Sequence, residues 1–350
     1  MTYRIGVIAG DGIGPEVVQE GLKVLSRAGR LSGFQYELTT YPWNSRLYLD
    51  TGELMPSSAL DEFRQLDAIF LGALGDPRVE RGLVERSVIM QLRLGLDLYI
   101  NLRPVALPAA HLTPLKDIGP DDLNMVVVRE NTEDAYVGIG GSLRPGEADE
   151  VAIAEMIYSR RGVERAIRYA FELARSRNNK RKLTLVDKSN AIRAQEIWRR
   201  TFADVALEYP DVETEALYVD AAVMHMVANP GRFDVIVTTN LFGDIITDLG
   251  AVLQGGMGTA ASGNIHPGKV SVFEPIHGSA PDIAGQNKAS PIGAISAISM
   301  LLAHVGEADA SRMVDEAVRD VLVRDEAGLT TEQVGDEVAE AMERVASAKA

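Results

Sequence analysis

The sequence predicts an α/β protein built around a largely parallel sheet. Short apolar runs rich in β-branched residues alternate with stretches that have the spacing of amphipathic helices. The strand-like runs lie at 4–9, Ala68–Leu71, Met125–Val128, Lys182–Val186 and Val235–Thr238. A chain of 350 residues favours two or three domains, yet no Pro/Gly/Ser-rich linker separates them. We therefore expect an interleaved chain in which one domain is inserted into the other.

The first run, RIGVIA, passes through a glycine-rich loop, Gly10–Gly14, into a predicted helix. Pro15 suits the first turn of that helix, Glu16 favours the positive end of its dipole, and Gly29 is placed to end it. The loop reads G-x-G-x-G-P, without the G-x-G-x-x-G spacing and without an acidic residue that closes a matching βαβ unit. We therefore reject an ordinary Rossmann fold.

Later helices show the same periodic pattern. Val163, Ile167, Ala170, Phe171 and Ala174 recur at helical spacing and predict one amphipathic helix after the Met125–Val128 run. The alternation of runs and helices thus continues through the middle of the chain.

Composition narrows the possible partners. The chain has no cysteine, which excludes disulfides and thiolate metal sites and favours a cytoplasmic protein. A net charge of −15 disfavours nucleic acid and anionic membranes as partners. No apolar run is long enough to span a membrane, and the N-terminus does not resemble a signal peptide. An anionic substrate would have to be bound by locally clustered arginines.

Two aspartates predict a cation site. Asp244 and Asp248 are four residues apart in a predicted helix, so both carboxylates lie on one face and repel each other unless a cation lies between them. Mg²⁺ and Mn²⁺ prefer such oxygen ligands. The alternative is an ordinary solvated pair near the start of a helix.

Three arginines lie within or beside apolar stretches. Arg93, Arg103 and Arg129 are in surroundings that arginine rarely enters without an anionic partner, and its planar guanidinium binds carboxylates with two hydrogen bonds. They could bind an anionic substrate. Alternatively, they could form structural ion pairs with Asp97, Glu130 or Glu133.

Lys188 follows the apolar strand Leu183–Val186. A lysine that faces a cleft there can have a lowered pKa and act as a general base, although a lysine after a strand is more often simply solvated.

The segment Phe273–Gly285 predicts a tight loop with exposed backbone amides, which suits phosphate groups. Within this loop Asp282 could accept hydrogen bonds from a ribose diol and would repel a 2′-phosphate, so the loop favours NAD over NADP.

Taken together, seven motifs resemble the β-decarboxylating dehydrogenase family, which includes isopropylmalate and isocitrate dehydrogenases. The motifs occur in the family's order along nearly the whole chain: GDGIGPEV, NLRPV, VRENTED-Y-G, DKSN, YVDA, TTNLFGDIITDL and FEPIHGSAPDIAG. The resemblance implies the isopropylmalate/isocitrate dehydrogenase-like fold, with a mostly parallel sheet and an interleaved second domain. It implies a first domain of residues 1–98 and 256–350 and a dimerising second domain of residues 99–255.

The resemblance also implies roles for individual residues. Arg93, Arg103 and Arg129 would bind the substrate carboxylates, Lys188 would take the hydroxyl proton, and Tyr136 would protonate the enol. Asp244 and Asp248 would hold Mg²⁺ or Mn²⁺ together with Asp220 of a second subunit, whose Lys188 would act in the same site. A homodimer would therefore share its active sites. The implied NAD contacts are His277, Gly278, Ser279, Ala280, Asp282, Ile283 and Ser290, where the family usually has asparagine in place of Ser290.

The resemblance implies a small 2-hydroxy dicarboxylate as substrate, and the helix before Arg93 bears on which one. Val88, Ile89 and Met90 offer an apolar patch without an extra cation, which favours the isopropyl group of 3-isopropylmalate over the third carboxylate of isocitrate. Ser87 and the NTED segment at 131–134 keep isocitrate as the first alternative, followed by homoisocitrate and tartrate or D-malate. The patch could instead pack against the protein's own core. A non-catalytic regulatory subunit is the alternative of another class, although this chain retains the tyrosine, lysine and aspartates.

Overall fold

The computed structural model describes residues 2–324 and 328–349 and divides into two compact units. Unit 1 comprises Met1–Leu98, Ala106–Pro120 and Ala251–Ala350, and unit 2 comprises Tyr99–Val105 and Asp121–Gly250. The twelve strands are β1 Thr2–Ile8, β2 Gln35–Tyr41, β3 Ala68–Leu71, β4 Ile100–Ala106, β5 Asn124–Glu130, β6 Gly140–Leu143, β7 Val151–Ala154, β8 Lys182–Asp187, β9 Glu213–Tyr218, β10 Val235–Thr238, β11 Ala261–Ile265 and β12 Val272–Pro275.

Helices follow most of the strands along the chain. They are α1 Gly14–Ser32, α2 Ser45–Thr51, α3 Ala59–Phe63, α4 Leu83–Glu85, α5 Gln91–Gly95, α6 Arg160–Arg177, α7 Glu196–Ala206, α8 Val219–Ala228, α9 Asn240–Gln254, α10 Ile292–His304, α11 Ala308–Val323 and α12 Thr331–Lys349. One turn of π-helix, Arg86–Met90, joins α4 to α5. Across the described ranges 2–324 and 328–349, no helix is both long enough and apolar enough to cross a membrane.

In unit 1 the strand order is β2-β1-β3-β12-β11. β1 runs parallel to β2 and β3, β12 runs parallel to β3, and β11 is antiparallel to β12. All four residues of β3, AIFL, are fully buried, as expected for a strand covered on both faces. Helices α1, α10, α11 and α12 pack with one another, and α1 presents Val17, Val24 and Leu25 to the core.

In unit 2 the order is β4-β5-β10-β8-β9, with parallel pairing from β5 to β10, β10 to β8 and β8 to β9. Helix α6 packs against β5, β8 and β10 and buries Val163, Ile167 and Phe171. Strands β6 and β7 form a separate antiparallel ribbon. The predicted mixed, mostly parallel sheet is therefore confirmed, and so is the rejection of an ordinary Rossmann fold.

The unit boundaries differ in two places from the domain bounds expected from the sequence. Residues 106–120 and 251–255 belong to unit 1, where Ala106 N donates to Gln254 Oε1 at 3.1 Å and Gly255 lies next to Leu112. The two stretches contact each other, which explains why they stay together. The roles assigned to the two domains stay a prediction.

Candidate active site

Five polar side chains meet in unit 2, and we call them the Asp244 cluster: Arg103, Arg129, Tyr136, Asp244 and Asp248. Arg129, at the end of β5, is only 1% exposed and its Nη1 pairs with Asp244 Oδ1. Arg103, on β4, has its Nη2 3.4 Å from Asp244 Oδ1 and its Nη1 3.5 Å from Asp248 Oδ1. Two guanidinium groups therefore lie beside two carboxylates that project from one face of α9.

Neutral oxygens fix the orientation of both arginines. Arg129 Nε donates to Asn240 Oδ1 at 2.9 Å, and Arg103 donates from Nε to Asn101 Oδ1 at 2.8 Å and from Nη1 to Thr247 Oγ1 at 2.6 Å. Because these bonds hold the inner nitrogens, the guanidinium groups stay aimed at the carboxylates. The carboxylates that these arginines contact here belong to Asp244 and Asp248 of α9, whereas the structural alternative in the sequence analysis named Glu130 or Glu133.

Gly243 lets Arg129 pass close to α9. A Cβ at position 243 would lie 2.5 Å from Arg129 Cγ, which no real side chain tolerates. The glycine of the motif NLFGD therefore has a packing role beside the arginine.

Tyr136 completes the cluster. Its hydroxyl donates to Asp244 Oδ2 at 2.8 Å, and its ring centre is 5.1 Å from the Arg129 guanidinium carbon. Asp244 thus has the Tyr136 hydroxyl on one oxygen and two arginines on the other. The pKa of the Asp248 carboxyl is raised, because the effect of burial exceeds the opposing effect of the nearby Arg103.

The carboxylates of α9 fit half of a divalent cation site. Asp244 and Asp248 supply oxygen ligands one helical turn apart, and the Asp248 side chain is 55% exposed and so open to a ligand. Within residues 2–324 and 328–349, no group of three or more His, Asp or Glu side chains could hold a metal ion by itself. The third expected ligand, Asp220, is not part of this cluster.

Asp220 pairs with Lys188 instead. Lys188 follows β8 directly, and its Nζ contacts Asp220 Oδ1 in the first turn of α8. The Lys188 ammonium holds the pKa of the Asp220 carboxyl below its usual range. The Lys188 main-chain N–H donates to Gln195 Oε1 at 2.7 Å.

In unit 1, the helix before Arg93 only partly matches the expected apolar patch. Val88 is 1% exposed and belongs to the hydrophobic core, as in the alternative that the patch packs against the protein's own core. Ile89 is partly buried against the same core, and Met90 is partly exposed. The Ser87 hydroxyl donates to Val84 O at 2.9 Å. Only Ile89 and Met90 are left to contact a substituent.

Arg93, in α5, is buried among polar groups of the β11–β12 pair. Its Nε donates to Asn264 Oδ1 at 2.9 Å, and its Nη2 lies 3.6 Å from Glu274 Oε1. The alternative of structural ion pairs named Asp97, Glu130 or Glu133 for the three arginines and did not include Glu274.

The segment from His277 to Ser290, which we call the 277–290 loop, is largely irregular. The main-chain N–H of Ile13 donates to Ser279 O at 2.9 Å, and a Cβ on Gly12 would lie 1.9 Å from that same oxygen. Gly12 has a φ of +56°, so the loop Gly10–Gly14 needs glycine there both for its conformation and for its close approach.

The loop offers few side-chain hydrogen bonds to a ligand. His277 Nδ1 contacts Gly278 O at 3.0 Å, and its buried Nε2 has no hydrogen-bond partner among residues 2–324 and 328–349. Burial lowers the pKa of the imidazole. A neutral ring with one unpartnered nitrogen suits a polar group of a bound cofactor. Asp282 is exposed, and Ser290 Oγ accepts the N–H of Ile292 at 3.4 Å. The remaining predicted contacts, Gly278, Ala280 and Ile283, lie along the same partly exposed stretch.

Two acidic side chains to which the sequence analysis gave no role in the site hold the glycine-rich loops of unit 1 through hydrogen bonds. Asp11 accepts hydrogen bonds from Ser45 N, Ser45 Oγ and Gly75 N, and Glu16 accepts the N–H groups of Gly285 and Asn287. A cavity of about 560 Å³ opens beside them. Its lining includes Gly10, Gly12, Arg46, Arg78 and Pro281. The position of Asp11 within GDG was the one available sequence signal.

Comparison with known proteins agrees over nearly the whole chain. The family model described as isocitrate/isopropylmalate dehydrogenase matches residues 4–347. A 3-isopropylmalate dehydrogenase of Thermobifida fusca is 50% identical over 97% of this chain and 97% of its own, and one of Mycolicibacterium vanbaalenii is 50% identical over 96% and 98%. The crystal structure of an isocitrate dehydrogenase from Methylococcus capsulatus aligns with a TM-score of 0.88 and 37% identity, covering 97% of this chain and 99% of that one.

Proposed function

The chain belongs to the isocitrate/isopropylmalate dehydrogenase family, and from that membership we propose that it oxidises and decarboxylates 3-isopropylmalate with NAD⁺. The product would be 2-oxo-4-methylpentanoate, an intermediate of leucine biosynthesis. The observation that carries the proposal is the Asp244 cluster, where two oriented arginines and a tyrosine surround two carboxylates. The names of the relatives at about 50% identity support the choice of substrate.

The arginines bind the substrate in this proposal. Arg93, Arg103 and Arg129 hold the two carboxylates that every substrate of the family has in common. Because neutral oxygens orient the guanidinium groups of Arg103 and Arg129, little rearrangement is needed on binding.

Lys188 and Tyr136 move the protons. Lys188 takes the proton of the C2 hydroxyl as the C2 hydride leaves, and the resulting β-keto acid loses CO₂. The Tyr136 hydroxyl then protonates the carbon that CO₂ has left. When bound, Mg²⁺ or Mn²⁺ supplies positive charge beside the C2 oxygen, and NAD⁺ supplies the hydride acceptor.

Asp244, Asp248 and the 277–290 loop are the proposed places for these two groups. Asp244 and Asp248 would ligate the cation together with Asp220 of a second copy of the chain. His277, with its unpartnered Nε2, and Asp282 would contact NAD⁺. The Asp282 carboxylate, which is exposed, would accept hydrogen bonds from a ribose diol and would repel a 2′-phosphate.

Exposed apolar surface in unit 2 supports a homodimer. The β6–β7 ribbon exposes Leu143, Val151 and Ile153 by 62%, 49% and 58%. Met224 on α8 and Ile245 on α9 are 71% and 55% exposed. Large apolar side chains exposed in this number mark an interaction surface. A second copy would cover them and would bring its Lys188–Asp220 pair to the Asp244 cluster.

We propose a cytoplasmic location, because a chain without cysteine cannot form the disulfides that are common in secreted proteins. No membrane or nucleic-acid partner is proposed.

The test is kinetics of the purified protein with 3-isopropylmalate, isocitrate, homoisocitrate, tartrate and D-malate. We expect 3-isopropylmalate to have the highest kcat/KM. Turnover of isocitrate at an equal rate would move the assignment to that branch of the family. No turnover of any candidate with both cations and both nicotinamide cofactors would favour a non-catalytic subunit.

The shared site has its own test. Lys188→Ala and Asp244→Asn should each be nearly inactive as homodimers. After the two are mixed, denatured and refolded, hybrid dimers should regain one intact site. Confirmed dimers without recovered activity would contradict shared sites.

A further inference from the structure

A chain of hydrogen bonds within unit 2 connects the segment before Tyr136 to Lys188. The Tyr158 hydroxyl donates to Asp134 Oδ1 at 2.7 Å, and Gln195 Nε2 donates to the Tyr158 oxygen at 2.8 Å. Gln195 Oε1 in turn accepts the main-chain N–H of Lys188 at 2.7 Å. Neither Tyr158 nor Gln195 is among the proposed substrate, cation or NAD⁺ contacts.

The side chains at the two ends of this hydrogen-bond network, Asp134 and Gln195, are buried, and each makes at least two hydrogen bonds. Asp134 and Gln195 have no exposed surface. Asp134 Oδ1 also accepts the N–H of Ala135 at 2.8 Å, and its Oδ2 accepts the N–H of Leu241 at 2.9 Å. Asp134 has a φ of 71°, which is unfavourable for a residue other than glycine, so these bonds hold a strained backbone in place. A buried network with every member satisfied specifies a single arrangement.

The Tyr158 hydroxyl stays protonated and so can act only as the donor to Asp134. Burial and the neighbouring Asp134 carboxylate both raise the pKa of Tyr158. The direction of each bond is therefore fixed from Gln195 to Tyr158 to Asp134.

The main chain at Lys188 is held differently on its two sides. Lys188 O accepts the N–H groups of Ala191 and Ile192 at 3.0 and 2.8 Å, so local turn bonds fix the carbonyl side. On the amide side, the N–H bonds to the Gln195 side chain. Loss of that bond would let the peptide before Lys188 rotate and would move its Nζ.

We propose that Gln195 and Tyr158 are positioning residues that fix the main chain at Lys188 so that its amine is aimed at the substrate hydroxyl. The inference rests on the proposed role of Lys188 as the base. Neither residue touches the reacting atoms, and both act through the Lys188 peptide. A displacement of about 1 Å in a catalytic group can lower the rate about a hundredfold.

The first test compares three homodimeric variants. Gln195→Met keeps the volume and loses both hydrogen bonds, Tyr158→Phe loses only the hydroxyl, and Tyr209→Phe is the matched control. Tyr209 donates to Glu172 at 2.8 Å elsewhere in unit 2, so its variant loses the same kind of bond away from Lys188.

We expect kcat to fall about 10- to 100-fold for Gln195→Met and less for Tyr158→Phe. KM for the substrate should change by less than about threefold, because the proposed carboxylate-binding arginines are untouched. The kinetic isotope effect on kcat with substrate deuterated at C2 should rise, since proton removal and hydride transfer become slower than product release. Tyr209→Phe should change none of these. If Gln195→Met does not fold, the same measurements on Tyr158→Phe test the proposal.

A kcat within twofold of wild type in both variants would overturn the proposal. So would a fall in kcat that leaves the isotope effect unchanged, or one that Tyr209→Phe reproduces. A wild-type protein that turns over another 2-hydroxy dicarboxylate instead of 3-isopropylmalate would correct the proposed substrate, and the same comparison would then be made with that substrate.

Hybrid dimers show whether the hydrogen-bond network acts in the subunit that supplies Lys188 to the site. In a hybrid of Lys188→Ala and Asp244→Asn subunits, the one intact site takes its base from the Asp244→Asn subunit. Gln195→Met added to that subunit should lower the recovered activity, and the same change in the Lys188→Ala subunit should leave it. The reverse pattern would contradict the inference. An inactive parent hybrid would instead contradict shared sites, and the homodimer kinetics would still decide the role of Gln195.

Discussion

The Asp244 cluster and the 277–290 loop are built on opposite principles. In the Asp244 cluster, side chains on regular elements form dense charge pairs, and Arg129 is almost completely buried. The 277–290 loop exposes an irregular main chain, with positive φ at Ala280 and Asn287 and one unpartnered nitrogen on His277. A site that must bind a compact, highly charged substrate and a cation needs side chains fixed in advance. A site for a long dinucleotide needs accessible backbone that a few outside contacts hold in place.

If the function of the Asp244 cluster depends on charge, removal of the proposed cation should have the largest effect on activity. Chelation should abolish turnover, and Mg²⁺ or Mn²⁺ should restore it. Asp244→Asn should lower kcat at least about 10²- to 10³-fold, because it removes both a proposed ligand and the partner of Arg129 and Tyr136.

The matched control for that change is Asp309→Asn. Asp309 pairs with Arg312 on the exposed face of α11 in unit 1, so its loss tests an ordinary surface ion pair. It should leave kcat unchanged. Full activity of the wild-type protein in excess chelator would exclude the proposed use of a cation.

A second change tests whether the apolar side chains Ile89 and Met90 of unit 1 select the substrate. The wild-type protein should prefer 3-isopropylmalate to isocitrate by about a hundredfold in kcat/KM, because a third carboxylate would lose its hydration against Ile89 and Met90. Ile89→Asn should reduce that ratio, and Ile89→Leu is the control that keeps the patch apolar. The ratio of the two kcat/KM values is the measurement, and a ratio near one for wild type would refute the preference.

The sequence predicted the fold well because several of its strands, such as β3 and β10, are short, apolar and buried on both faces. Ala68–Leu71 and Val235–Thr238 match β3 and β10 residue for residue. The antiparallel pairing of β11 with β12 was not predicted, because a pairing direction depends on connections that periodicity does not encode.

The site was predictable where it depends on local spacing. The spacing of Asp244 and Asp248 correctly placed both on one face of a helix, and the structure adds that Arg103 lies beside them. Three adjacent apolar residues, Val88, Ile89 and Met90, could not show which of them faces the core, and in the structure this is Val88. The functional roles of the predicted residues stay predictions.

Long-range polar partners could not be predicted at all. Arg93 with Glu274 and Gln195 with Tyr158 join side chains far apart in the sequence, and no local pattern marks such pairs. They are specified by the packing of the whole unit.

The preference between NAD⁺ and NADP⁺ tests the proposed role of the 277–290 loop, as cation dependence tests that of the Asp244 cluster. NAD⁺ should be favoured over NADP⁺ by at least about tenfold in kcat/KM, since the Asp282 carboxylate would repel a 2′-phosphate. Asp282→Asn should narrow that difference mainly by improving NADP⁺. Equal rates with the two cofactors in the wild-type protein would contradict the assignment, and Asp309→Asn again serves as the control for loss of an exposed charge.

The smallest expected effect comes from the contact that holds the loop from outside. Glu16, in the first turn of α1, accepts the main-chain N–H groups of Gly285 and Asn287, one on each carboxylate oxygen. The amide of Glu16→Gln has one oxygen left to accept, so one N–H loses its partner and the charge assistance of the other bond disappears. We expect KM for NAD⁺ to rise about three- to fivefold, which corresponds to about 1 kcal/mol, with kcat and KM for the substrate unchanged. Glu307→Gln is the matched control, because Glu307 accepts a hydrogen bond from Tyr3 elsewhere in unit 1. If Glu16→Gln altered kcat but not KM for NAD⁺, the loop would not be the element that Glu16 supports, and the contrast between a loop held by few contacts and a densely paired charge cluster would fail.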